Sequence, residues 1–70
     1  MTIIINRKGG VIEAHNAIDF WFLKKNKRLD MLVEGRKERQ YILMNLEKEE
    51  IESISIDGQT VYNAILESES

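Results

Sequence analysis

Three consecutive isoleucines, Ile3, Ile4 and Ile5, form the first apolar run of the chain. Such residues are branched at Cβ and stiff at χ1, so residues 2–6 predict a strand. Arg7-Lys8-Gly9-Gly10 follows, and a glycine pair supplies the positive φ that a tight hairpin turn needs. Residues 11–14 then return as a second strand. Further on, Leu29, Met31 and Val33 alternate with Arg28, Asp30, Leu32 and Glu34, the period of a strand with one buried face. Residues 39–45 carry a four-residue apolar centre, Tyr41-Ile42-Leu43-Met44, and predict another strand. Gly35-Arg36-Lys37-Glu38 is the turn between the two.

Toward the C-terminus, residues 46–50 are helix formers, with Asn45 placed as an N-cap and acids in the first turn. They predict a single helical turn. Residues 51–56 alternate again after a one-place slip at Glu52-Ser53, which fits a bulge or a helix-to-strand junction. Asp57-Gly58, between Ile56 and Thr60-Val61-Tyr62, is a type I′ hairpin dipeptide.

Residues 13–26 admit two readings. Ala14, Ala17, Ile18, Trp21 and Phe22 fall on a helical stripe, but Phe20 and Leu23 lie off it. Read as a strand, residues 19–23 end at the polar turn Lys24-Lys25-Asn26-Lys27-Arg28 and pair with residues 28–34 as a hairpin. The strand is preferred. The expected fold is therefore mainly β: a small antiparallel meander or barrel-like sheet with one short helix. The alternative is α+β, with a helix at 13–25 packed on an antiparallel sheet. One domain covers residues 1–66, and residues 67–70 form a frayed acidic tail.

Composition narrows the chemistry. The chain has 70 residues, 43% of them apolar and 31% charged, which suits one globular domain and not a disordered tail. The longest apolar runs, residues 20–23 and 41–44, are far short of the roughly 18–20 residues of a membrane span. The N-terminal segment places its charge after a three-residue apolar run, the reverse of a secretory signal. The chain has no cysteine, which removes disulfides, thiolate metal sites and cysteine nucleophiles. Together these features fit a cytoplasmic protein, read as a complete small chain.

His15 is the only histidine, with no serine near it in sequence, so neither a nucleophilic triad nor a zinc site is expected. Glu47, Glu49, Glu50 and Glu52 cluster without the spacing of a calcium loop. Residues 7–10 lack the order of a phosphate-binding loop. The expectation is a chain that is not an enzyme, with no cofactor, metal or small-molecule substrate and no membrane association.

Charge is uneven along the chain. Residues 1–41 hold nine basic groups against five acids, a balance of +4, and residues 42–70 hold Lys48 against seven acids, a balance of −6. One reading is internal: a basic half and an acidic half that satisfy each other within one fold. A second follows from the two-sided apolar strands. Phe20 and Phe22 face one way, Trp21 and Leu23 the other, and a small sheet cannot cover both faces unaided. That reading is a protein-interaction module, a regulator or inhibitor that binds a larger protein or pairs as a homodimer. Its expected contact residues are Phe20, Trp21, Lys24, Lys25, Lys27, Arg28 and Tyr41. The alternative is nucleic-acid binding by Arg7, Lys8, Arg36, Lys37 and Arg39, with exposed aromatics stacking on bases. The net charge of −2 weighs against it.

Overall fold

The computed structural model describes residues 1–69. Six strands follow one another: β1 (Thr2–Arg7), β2 (Val11–Leu23), β3 (Arg28–Glu34), β4 (Arg39–Asn45), β5 (Ile51–Ile56) and β6 (Gln59–Asn63). A short 3₁₀ turn (Lys24–Asn26) separates β2 from β3, and a six-residue helix, α1 (Ala64–Glu69), closes the described chain. The spatial order is β4-β3-β2-β1-β5-β6, every neighbouring pair antiparallel. The sheet ends on β4 and β6, so it is open rather than barrel-closed.

The helical alternative for residues 13–25 is overturned: this segment lies in a strand of 13 residues. The apolar stripe that mimicked a helix is split between two partners. Residues 11–16 pair with β1, and residues 17–23 pair with β3. Ile18 is the extra residue of a bulge where the partner changes, since Ala17 opposes Val33 and Asp19 opposes Leu32. Bulges bend the strand that carries them. Ala17, 3% exposed, leaves little side chain at the bend, so the inner faces of the two half-sheets meet there.

The core is what the alternation predicts. Ile3 and Ile5 of β1, Leu29, Met31 and Val33 of β3, Met44 of β4 and Ile54 and Ile56 of β5 form one buried cluster with Leu46, Ile51 and Tyr62. Ile4, between two fully buried neighbours, points to the opposite face. The slip at Glu52 is a bulge against β1: Asn6 opposes Ser53, and Arg7 opposes Ile51. Asp57 and Gly58 adopt φ of 49° and 86°, the left-handed pair of a type I′ turn. The Asp57 carboxylate also accepts the Thr2 amide at 2.8 Å, which ties this hairpin to β1.

Residues 46–50 make the single turn expected of them: the Glu49 amide closes on Asn45 O at 3.1 Å, and Glu50, at a left-handed φ of 53°, ends it. The Asn45 side chain accepts the amides of Glu47 and Lys48, the capping role expected of it. The Leu46 amide, which a first turn leaves unpaired, reaches Lys27 O in the β2–β3 turn, and the Ile51 amide closes back on Leu46 O. A longer helix forms at α1, with the Asn63 side chain accepting the amides of Ile65 and Leu66. It carries the chain through residues 67–69, the start of the segment expected to fray; Ser70 lies outside the described residues. Among the described residues no helix is long and apolar enough to cross a membrane.

Candidate protein-binding face

Strands β2, β3 and β4 expose a second face, opposite the core. In register, Trp21 of β2 lies beside Asp30 of β3 and Leu43 of β4. The next row is Asp19, Leu32 and Tyr41, and the row after Asp30 is Leu23, Arg28 and Asn45. Trp21, Leu23, Tyr41 and Leu43 are all exposed, Tyr41 and Leu43 by more than half.

The rings of Trp21 and Tyr41 stack with centroids 5.5 Å apart and planes 15° from parallel. Their strands are separated by β3 and so lie roughly 10 Å apart. Both rings therefore lean inward over the middle strand. Asp30, between Trp21 and Leu43 in register, is only 6% exposed although its strand position faces outward. Arg28 satisfies it: Nε donates to Oδ1 at 2.7 Å and Nη2 to Oδ2 at 2.8 Å. This two-pronged bond holds the Asp30 carboxyl below its ordinary pKa, against the upward push of partial burial. The charge at the centre of the face is thus neutralised by its own neighbour, and the surface around it is apolar and aromatic.

Of the residues expected to form a contact surface, Trp21, Tyr41 and Arg28 share this face. Phe20 does not. It opposes Met31, points inward and packs against the core, because a strand puts adjacent residues on opposite sides. Lys24 and Lys27 are turned elsewhere. With Lys8, Phe22, Glu50 and Tyr62 they line a cleft of about 390 Å³. Lys25 is exposed in the same turn. Leu23, Leu32 and Leu43 belong to the face and were not singled out, although the alternation already placed Leu23 with Trp21.

The bend in β2 decides where the basic groups go. It brings both ends of this strand to the acidic turn at 46–50. The Lys8 amide donates to Glu50 O, and the Leu46 amide donates to Lys27 O. Lys27 Nζ meets Glu47 Oε1 at 2.6 Å, and Arg7 Nη2 meets Glu49 Oε1 at 3.4 Å. Arg7 Nε also lies 2.7 Å from Glu13 Oε1 as an ion pair. Burial alone would raise the Glu13 pKa. His15 and Arg7 outweigh that effect and hold it below the ordinary value. Arg36, Lys37 and Arg39 lie in and beside the β3–β4 turn, the length of a seven-residue strand (~23 Å) from residues 24–27. The five residues expected to bind nucleic acid are therefore divided between two regions.

Among the described residues no group of three or more His, Asp or Glu side chains is placed to hold a metal ion. Comparison with protein-family models, with curated proteins and with solved structures gives no match.

Proposed function

We propose that this protein is a non-enzymatic interaction module that docks an apolar segment of a larger protein on the outer face of β2, β3 and β4, as a regulator or inhibitor of that partner. The observation that carries this reading is the Trp21–Tyr41 stack, flanked by Leu23 and Leu43 and held beside an ion pair that needs no external partner. Exposed side chains of this number present roughly 300–500 Å² of apolar surface, the size of the largest patch on a typical monomer, which is often a functional one. Covering it is worth on the order of 10 kcal/mol at ~25 cal/mol/Å², against association costs of about 4–15 kcal/mol. Aromatic anchors whose positions are set in advance reduce those costs. A cysteine-free chain suits action in a reducing, cytoplasmic compartment.

Basic groups do not run beside the rings as a stripe. Arg7 and Lys27 are engaged by Glu49 and Glu47, and the remaining cations sit at separate ends of the sheet. This favours a protein partner over a nucleic acid, whose binding draws on dense local positive charge.

The test uses the full chain as bait in lysate of its source cell, comparing wild type with Trp21→Ala, Leu23→Lys and, on the other half-sheet, Ile12→Lys. A protein captured by wild type and by Ile12→Lys, and lost with Leu23→Lys and Trp21→Ala while circular dichroism shows a folded chain, supports the face. Capture unaffected by Leu23→Lys overturns it. So does binding of single-stranded DNA by wild type that weakens with salt at a log–log slope of about −3 to −4.

A further inference from the structure

An open sheet has edges, and the four strand stretches here that lack a partner on one side are not alike; residues 18–23 of β2, unpaired on the side away from β3, begin at the Ile18 bulge. On β6, Val61 is bulged, since Ser55 opposes Thr60 and Ile54 opposes Tyr62. Along residues 11–16 of β2, Glu13 and His15 stand on the same face as Ile3 and Ile5. Bulges and inward-pointing charged groups both discourage strand addition. β4 has neither device. Its seven residues keep one register with β3, and its inward positions are Gln40, Ile42 and Met44.

Which backbone groups of β4 face outward follows from two bonds at its C-terminal end. The Leu46 amide reaches Lys27 O at 2.8 Å, on the β3 side. The Asn45 amide goes instead to Glu49 Oε2 at 3.0 Å, on the open side. In an antiparallel strand the N–H and C=O of alternate residues point to opposite sides. Gln40, Ile42 and Met44 therefore bond to β3, while Arg39, Tyr41 and Leu43 present their peptide groups to the free edge.

Charge identifies the occupant of that edge. Residues 36–39, before the strand, hold three cations and one acid. Residues 47–50, after it, hold three acids and one cation; Glu47 and Glu49 also meet Lys27 and Arg7 of their own chain, so the flank is acidic but partly neutralised. An antiparallel copy of the same strand sets each flank against its opposite. We propose that the protein forms a two-fold dimer by pairing β4 with β4 of a second copy, with Ile42 on the axis. Tyr41 then opposes the partner's Leu43, and Arg39 opposes the partner's Asn45. About six inter-chain backbone hydrogen bonds form. The inward Ile42 side chains meet across the axis, and the two aromatic faces join into one. The pairing uses the backbone edge and is independent of what docks on the face.

The experiment exploits the absence of cysteine. Ile42→Cys introduces the one thiol. A non-hydrogen-bonded antiparallel pair sets Cα atoms about 4.5 Å apart, within disulfide range. Mild oxidation should cross-link Ile42→Cys to a dimer in high yield, and Val61→Cys, on the opposite edge, should give little. Sedimentation of the wild-type chain across a dilution series should reach twice the chain mass. Leu43→Pro removes an outward N–H and leaves the ladder to β3 intact, so it should stay monomeric with its β-sheet dichroism preserved. Should that variant not fold, Leu43→Lys brings cations of both copies together across the axis and should also be monomeric. Trp21→Ala, away from the edge, should remain dimeric whether or not it loses a docked protein. A wild-type chain that stays monomeric at the highest concentration overturns the proposal. So does a dimer that persists with Leu43→Lys while Ile42→Cys fails to cross-link.

Discussion

Removing the two stacked rings one at a time, and then together, tests how the outer face is built. Trp21 is 41% exposed, so it withdraws roughly 150 Å² from water. At ~25 cal/mol/Å² that is about 3.7 kcal/mol, and a compact unfolded chain trims it by about 10–40%. Trp21→Ala should therefore cost about 2–3 kcal/mol. Tyr41, 57% exposed, buries less, and Tyr41→Ala should cost about 1.5–2 kcal/mol by the same reasoning. The stack adds a term that belongs to the pair. Rings 5.5 Å apart at 15° are in offset-stacking range, where coupling is about 0.5–1.5 kcal/mol. The double variant should thus lose about 1 kcal/mol less than the sum of the single losses. Urea unfolding followed by far-ultraviolet circular dichroism is the suitable assay, because Trp21→Ala removes the only tryptophan. Chain concentration must be fixed, since self-association would shift the midpoint. Stability for a domain of this length is about 4–10 kcal/mol, so sulfate is added to all samples if the double variant begins to unfold. A coupling below about 0.3 kcal/mol, the level at which independent sites add, would show that the rings do not lean together over β3.

Two further perturbations test the register and the charge at the centre of the face. Ile5→Ala should cost about 2–5 kcal/mol and Ile4→Ala less than about 1.5, because a strand buries alternate residues; a larger loss for Ile4→Ala in chemical denaturation would place β1 one residue out of register. Asp30, with its pKa lowered from 3.8, contributes stability that is present above that value and lost as pH falls through the folded-state value. The melting temperature of wild type should accordingly fall more steeply below pH 4 than that of Asp30→Asn, and parallel pH profiles would contradict the Arg28 fork.

The strands at both ends of the chain were legible because their signals are local. Alternation put Leu29, Met31 and Val33 on one face, Gly9-Gly10 and Asp57-Gly58 supplied left-handed turns, and the slip at Glu52 fitted a bulge, one of its two readings. The same alternation put Trp21 and Leu23 on one side and Phe20 and Phe22 on the other. It did not say which side would be the interior, and so Phe20 was grouped with contact residues although it packs on the core. Residues 46–50 have helical composition and make one turn, which Glu50 ends at a φ of 53°; the bond that ties this turn to Lys27, 19 positions earlier, has no record in composition.

Sequence by itself determined the class of the fold, the turn positions and the separation of a basic half from an acidic half. Only the tertiary structure decided that one strand would serve two half-sheets and bend at Ala17 and Ile18. That bend carries Lys8 and Lys27 to the acidic turn, and the ladder across β3 brings Trp21 and Tyr41 together beside Asp30. Periodicity is a property of neighbours along the chain, whereas each of these contacts joins residues about 20 or more positions apart through pairing that closes only when the whole sheet forms.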